Sequence, residues 1–246
     1  MRFALALVLM TATASAVQAA SIGLVLAVDV SESVSTERYL LQHDGIARAF
    51  ETPKLTDAIA AAPGGIEVLL LEWSDPDKIA VTVDWTPVAD RKSAAAFAAA
   101  VRSTTRTSYG LTAIGAAMLA GGAAFDRIPD PAANKIIDVS GDGMANFGPA
   151  PALVRDQLVA QGITINGLAI LTEEPWLADY YRANVIGGPA GFCLVAENMD
   201  SFAEAMLKKL VQEIARVGPH YAERERAPTP SPPPLAGEGW RRSQMQ

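Results

Sequence analysis

The chain has 246 residues, of which 50% are hydrophobic and 19% are charged, and its formal net charge is −7. At roughly 100–200 residues per domain, this length suits one large domain or two small ones. The apolar content excludes a wholly disordered chain, the single cysteine excludes a disulfide-stapled scaffold, and the excess of acids argues against a nucleic-acid binder. Two histidines, His43 and His220, leave little for a zinc site or a histidine-based triad. Any chemistry must therefore rely on carboxylates, hydroxyls and the backbone.

The first 20 residues have the features of a secretory signal peptide. Arg2 precedes an apolar run over residues 3–10, and Val17-Gln18-Ala19 has the small-x-small form of a cleavage site. The apolar run is too short for the roughly 20 residues of a spanning helix, so we expect no stable membrane insertion. We predict cleavage after Ala19 or Ala20 and a periplasmic or secreted protein.

The composition changes again near residue 221. A charged segment over residues 222–226 is followed by five prolines between Pro228 and Pro234. Such a stretch offers little surface to bury and cannot form a helix or a central strand. We therefore predict a folded domain over residues 21–220 and a disordered, proline-rich tail over residues 221–246.

Between these ends, apolar runs alternate with helical patterns. The runs predict strands over residues 22–28, 66–73, 79–85, 135–140, 163–171 and 192–196. Apolar residues at helical spacing predict helices over residues 36–50, 90–101, 111–125, 151–161, 175–185 and 201–217. This alternation predicts an α/β fold with a doubly wound, mostly parallel sheet. The pair 66–73 and 79–85 resembles a hairpin, which makes the third strand an antiparallel edge strand.

Polar residues follow two of the predicted strands. Asp29, Ser31 and Ser33 alternate directly after the first strand, and Asp142 follows the fourth strand in a glycine-flanked loop. Thr112 ends a polar loop before an alanine-rich helix. Open sheets of this class bind ligands beyond the carboxyl ends of their strands, so we expect these five side chains to converge.

Two carboxylates brought close together need a counter-charge. Ligands that are all oxygen favour a hard divalent cation, most of all Mg²⁺, with Mn²⁺ or Ca²⁺ also possible. With no more than two carboxylates, such an ion keeps an open position that an incoming carboxylate can occupy. Asp-x-Ser-x-Ser alone is a weak signal, since these residues are common in loops, and its position after an apolar strand strengthens it.

These motifs resemble those of the von Willebrand factor type A (vWA) family, in particular its uncharacterised secreted bacterial members. The resemblance rests on Asp29-x-Ser31-x-Ser33, on a later threonine, on Asp142-Gly143-x-x-Asn146-x-Gly148, and on Trp73-Ser74-Asp75 at the end of the second strand. It spans roughly residues 22–217 and implies a Rossmann-like vWA fold.

The resemblance also implies a metal-ion-dependent adhesion site. In the family pattern Ser31, Ser33 and the threonine coordinate the ion directly, whereas Asp29 and Asp142 bind it directly or through water. An acidic side chain of a protein partner completes the coordination. Thr112 is our match for the threonine and Thr107 is its rival, because this loop lacks the family's more familiar glycine-rich form.

We therefore expect a metal-dependent protein-interaction module rather than an enzyme. One alternative is a metal-dependent hydrolase or phosphatase, for which Arg106 is the only nearby cationic clamp. Another is a degenerate site in a purely structural interaction domain. Trp176, Tyr180 and Tyr181 suggest a contact surface or core packing, and His43 is expected to lie at the surface or to be partly packed.

Overall fold

The computed structural model describes residues 20–172 and 174–217. The predicted tail, and the predicted signal peptide apart from Ala20, lie outside the described residues, so both stay predictions. Within the described ranges, no helix combines the length and apolar character needed to cross a bilayer.

Six strands form one sheet in the order β3-β2-β1-β4-β5-β6. The strands are β1 (Ile22–Asp29), β2 (Ile66–Trp73), β3 (Ile79–Val88), β4 (Asn134–Gly141), β5 (Ile163–Ile170) and β6 (Cys193–Ala196). Every neighbouring pair is parallel except β2 and β3, which are antiparallel. The doubly wound, mostly parallel sheet with one antiparallel edge strand is thus confirmed. The point where the winding reverses lies between β1 and β4.

Helices cover both faces of this sheet. They are α1 (Thr36–Glu51), α2 (Pro53–Ala61), α3 (Arg91–Ser103), α4 (Ile114–Ala124), α5 (Pro151–Ala160), α6 (Leu177–Asn184) and α7 (Phe202–Val217). Alternate residues of β1 enter opposite cores: Leu24 and Leu26 pack on the side of α1, α3 and α7, whereas Val25 and Ala27 pack on the side of α4 to α6. The continuous apolar run of β1 therefore reflects burial on both faces.

Three differences from the sequence predictions exceed two residues. The helix predicted from residue 111 begins at Ile114, because the carbonyl of Thr112 accepts from Asn146 N at 3.1 Å instead of from the next helical turn, and Ala113 has a non-helical backbone with φ −99° and ψ 61°. The helix α2, which begins at Pro53 immediately after α1, was not predicted. The edge strand continues three residues beyond the predicted end at residue 85, and Pro87 is tolerated there because an edge strand has one unpaired side.

Candidate metal site

Three loops meet at the carboxyl edge of the sheet, beside the point where the winding reverses. The β1–α1 loop carries Ser31 and Ser33, whose Oγ atoms are 3.3 Å apart. Ser33 Oγ donates to Asp142 Oδ1, beyond the end of β4, at 2.6 Å. Ser31 Oγ and Asp142 Oδ1 thus both lie within 3.3 Å of one hydroxyl, which is compact enough for the ligands of a single ion.

Asp29, the last residue of β1, is fully buried beneath this cluster. Its Oδ1 accepts a hydrogen bond from Ser31 N at 2.7 Å, whereas its Oδ2 has no hydrogen-bond partner among the described residues. Burial first, and then the negative charge of Asp142, raise the pKa of the Asp29 carboxyl to about 7. The nearby charge of Arg106 only partly offsets these effects, so the site holds a buried carboxylate oxygen without a hydrogen-bond partner in the described ranges.

Gly141 makes room for this carboxylate. A Cβ on Gly141 would lie 2.8 Å from Asp29 Oδ2 and 2.8 Å from the hydroxyl oxygen of Tyr181. Tyr181 is fully buried, and its hydroxyl also has no hydrogen-bond partner within the described part of the chain. Tyr181 was predicted to lie either in the core or on a contact surface; its ring packs in the core, and its hydroxyl lies on the same side of Gly141 as the Asp29 carboxylate.

Thr112 lies in the third loop and is 7% exposed. Its N–H donates to Asn146 Oδ1 at 2.8 Å, and its carbonyl accepts from Asn146 N at 3.1 Å, so this loop is tied to the Asp142 loop. A Cβ added to Gly143 would lie 3.9 Å from Thr112 Oγ1, so the Thr112 hydroxyl lies close to the residue that follows Asp142. Thr107, the rival ligand, uses its hydroxyl to donate to Glu72 Oε2 at 2.8 Å. This geometry favours Thr112 over Thr107 as the candidate.

The side chain of Arg106 fixes the β1–α1 loop by donating hydrogen bonds to the backbone carbonyls of that loop. Its guanidinium donates to the carbonyl oxygens of Val30, Ser31, Val34 and Ser108 at 2.6–2.9 Å. The sequence suggested Arg106 as a possible substrate clamp, but its donors are already used to shape the loop. Carbonyl acceptors have no sequence signature, so this role could not be predicted.

A buried carboxylate anchors the loop that carries Arg106. Glu72 Oε2 accepts from Thr107 N and Oγ1, and Glu72 Oε1 accepts from Tyr39 OH and lies 3.1 Å from His43 Nε2. Burial acts to raise the pKa of Glu72, but contacts with His43, Thr107 and Tyr39 outweigh it and hold that pKa below its usual value. His43 is 3% exposed, so its expected surface or partly packed position is corrected to a buried one.

A second arginine reaches the site from the start of α1. Arg38 Nη1 donates to Ser33 O at 3.0 Å and lies 3.4 Å from Asp142 Oδ2. The Asp142 side chain is 1% exposed and that of Arg38 is 24% exposed. Positive charge is thus present at the edge of the acidic cluster, whereas the free oxygen of Asp29 lies deeper.

The donor set fits a hard cation. It offers two carboxylates and the hydroxyls of two serines and one threonine, with one carboxylate oxygen buried and unpaired. In the described ranges, no group of three or more His, Cys, Asp or Glu side chains could hold a metal ion, so a site here depends on hydroxyl ligands. Oxygen donors of this kind suit Mg²⁺, Mn²⁺ or Ca²⁺ better than softer metals.

Solved structures show that this fold is the vWA fold. The chain is 12% identical to the vWF domain of the type V pili tip protein Mfa5 from Porphyromonas gingivalis, with a TM-score of 0.57, over 80% of this chain and 96% of that one. It is 18% identical to a von Willebrand factor type A protein from Catenulispora acidiphila, with a TM-score of 0.54, over 79% of this chain and 43% of that one.

A third similar structure is proximal thread matrix protein 1 from the mussel byssus, described as having a zinc-occupied MIDAS motif. The identity is 16% and the TM-score 0.58, over 80% of this chain. The chain spans 46% of the length of that protein.

No curated protein matches the sequence. A family model described as "Protein of unknown function (DUF1194)" matches residues 19–218, which is most of the chain and includes all three loops of the candidate site. The chain therefore belongs to the DUF1194 family and has a vWA fold.

Proposed function

We propose that this protein is an exported, metal-dependent protein-interaction module of the adhesion type. Asp29, Ser31, Ser33, Thr112 and Asp142 would hold one divalent cation, most of all Mg²⁺. The observation that carries the proposal is the unpaired, buried Oδ2 of Asp29 beside a second carboxylate. A bound ion would neutralise these two carboxylates and offer a coordination position for a carboxylate of the partner.

The chain's own residues would prepare this site. Arg106 fixes the backbone that presents Ser31 and Ser33, and Asn146 fixes Thr112 against the Asp142 loop. Because these loops are cross-linked before any ion binds, little conformational entropy is left to lose on binding. The mussel protein with a zinc-occupied MIDAS motif supports a divalent ion at such a fold, although it leaves the identity of the ion here open.

The hydrolase alternative is less well supported. It needs a general base or a cationic clamp free to contact substrate. The guanidinium of Arg106 is bound to four backbone carbonyls, Arg38 Nη1 is bound to Ser33 O and Asp142 Oδ2, and His43 is buried against Glu72. We therefore favour binding without catalysis.

Thermal unfolding with Mg²⁺ or with EDTA tests the proposal. A ligand at 100 times its Kd stabilises the folded state by about 2.7 kcal/mol, so Mg²⁺ should raise the Tm measurably. Ser33→Ala should reduce this rise, whereas Ser103→Ala, at an exposed serine of α3, should leave it unchanged. If none of Mg²⁺, Mn²⁺ and Ca²⁺ changes the Tm of the unmutated protein, the site is degenerate and does not bind a divalent cation.

A further inference from the structure

Exposed apolar side chains are concentrated around the candidate metal site. Five of the nine large hydrophobic residues that are exposed within the described ranges lie on three loops at this edge of the sheet, namely those that connect α3 to α4, β4 to α5 and β5 to α6. We call them the apolar rim: Tyr109 (57% exposed), Leu111 (43%), Met144 (41%), Phe147 (54%) and Trp176 (48%). Loops that only connect elements are usually polar, so such a concentration indicates an interaction surface.

The rim surrounds the proposed ligands in sequence and in space. Tyr109 and Leu111 immediately precede Thr112, whereas Met144 and Phe147 follow Asp142 in the next loop. The reciprocal bonds of Thr112 with Asn146, described above, join these two loops directly.

The β5–α6 loop, which carries Trp176, is joined to the loop that follows Asp142. Ala145 N donates to Tyr180 OH at 3.2 Å, and Tyr180 N donates to the carbonyl of Trp176 at 3.3 Å. The ring of Tyr109 is held from one side, because the Arg106 guanidinium lies 3.6 Å from its centroid. The rim is thus organised before binding, which lowers the entropic cost of capturing a partner.

The charge at the centre of the rim would be positive once an ion is bound. A divalent ion, Arg38 and Arg106 together carry four positive charges, against three negative charges from Asp29, Asp142 and the exposed Glu32. A partner that complements this surface must bring a negative group at the centre and apolar groups around it.

On this basis, and resting on the proposed function, we infer that the partner is a protein segment in which a carboxylate is flanked by apolar or aromatic side chains. The carboxylate would complete the coordination of the ion that the proposed ligands would hold, and its apolar neighbours would cover the rim. A membrane surface fits less well, because the rim is a set of loop tips around a polar centre rather than one continuous apolar helix face.

Selection from a library of displayed random peptides tests this inference. Peptides are captured in Mg²⁺ and eluted with EDTA. We expect the selected sequences to share an Asp or Glu with apolar neighbours, and we expect Glu→Gln or Asp→Asn in a selected peptide to abolish its binding. Peptides that share an acid but have polar neighbours would overturn the inference, as would the recovery of no Mg²⁺-dependent peptide.

Two protein variants show whether the rim makes the contact. Phe147→Ser should weaken a selected peptide by about tenfold, the effect of losing one well-packed aromatic contact. Val81→Ser is the matched control, since Val81 is 41% exposed but lines the groove between β3 and α4, and it should leave affinity unchanged. Equal affinity of both variants for the peptide would refute the rim as the contact surface.

The failure of this inference can be distinguished from the failure of the proposed function. Both variants should keep the rise in Tm caused by Mg²⁺, because neither changes a proposed ligand. If Mg²⁺ does not raise the Tm of the unmutated protein, the metal site itself is refuted. If Mg²⁺ raises the Tm but Phe147→Ser leaves peptide affinity unchanged, only the inferred partner chemistry is refuted. Mg²⁺-independent binding to anionic phospholipid vesicles that Phe147→Ser abolishes would assign the rim to a membrane instead, and would also overturn the inference.

Discussion

Replacing Asp29 by asparagine should stabilise the metal-free protein and abolish its response to metal. Asp29 is fully buried, its Oδ2 is unpaired, and Asp142 repels its charge. The increase in its pKa from 3.8 to about 7 corresponds to roughly 4 kcal/mol of destabilisation when this carboxyl is ionised. The amide keeps the acceptor for Ser31 N but still buries a polar group, so we expect a net gain of about 2 kcal/mol.

Thermal unfolding at pH 8 in EDTA measures this gain. For a domain of this size, 1 kcal/mol shifts the Tm by about 2–4 °C, so Asp29→Asn should raise it by roughly 4–8 °C. In Mg²⁺ the order should reverse, because only the unmutated protein gains stability from the ion. Asp126→Asn, at an exposed acid, is the matched control and should change neither value.

The pH dependence has a definite sign. The folded-state pKa of Asp29 lies above its unfolded value of 3.8, so the destabilisation is full above about pH 7 and is relieved as the pH falls toward 3.8. In EDTA the unmutated protein should therefore gain about 2 kcal/mol between pH 8 and pH 5.5 relative to Asp29→Asn. A variant that is less stable than the unmutated protein in EDTA, or that still responds to Mg²⁺, would refute this reasoning.

Three further predictions follow from the site and from the chain's first residues. Arg106→Lys keeps the charge but loses the planar guanidinium that bonds several carbonyls at once, so the free energy of unfolding should fall by about 2 kcal/mol and Mg²⁺ affinity should weaken. Unfolding in urea measures the first effect and titration calorimetry with Mg²⁺ measures the second. No change in either would contradict the role of Arg106 in positioning the loop. Gly141→Ala places a Cβ 2.8 Å from Asp29 Oδ2, so it should lower the free energy of unfolding by about 1–3 kcal/mol and reduce Mg²⁺ affinity. Gly143→Ala, whose Cβ meets nothing closer than 3.9 Å, should lower the free energy of unfolding by less. Equal losses for the two variants in urea unfolding would argue against the role of Gly141 in making room for Asp29. Protein recovered from the periplasm or medium of an expressing bacterium should begin at Ala20 or Ser21 by N-terminal sequencing, and an intact Met1 there would contradict a cleaved signal peptide.

Much of the fold follows from local patterns in the sequence. The apolar run of β1 predicted a strand buried on both faces, because such a strand is apolar at every position. The alternating residues of β3 predicted an edge strand, because burial on one face requires apolar residues only at every second position. The site residues were predicted for a related reason: parallel strands bring their carboxyl ends to one edge, so Asp29 and Asp142 had to lie near each other once β1 and β4 were neighbours.

Features that depend on tertiary contacts could not be predicted in the same way. The helix α4 begins at Ile114 rather than residue 111 because the N–H of Asn146, more than 30 residues later, donates to the carbonyl of Thr112. The Arg106 guanidinium binds backbone carbonyls, which every residue offers. The hydroxyl of Tyr181 and the carboxylate of Asp29 both fill the space that a side chain at Gly141 would occupy, and a glycine preceding an aspartate is too common to signal this.

A crystal soaked in MnCl₂ tests the central claim most directly, because manganese is located by its anomalous scattering. We expect one strong peak enclosed by Asp29, Ser31, Ser33, Thr112 and Asp142, and its loss in a crystal of Asp142→Ala. No peak there, or a peak only elsewhere on the protein, would contradict the claim that these three loops form a divalent-cation site.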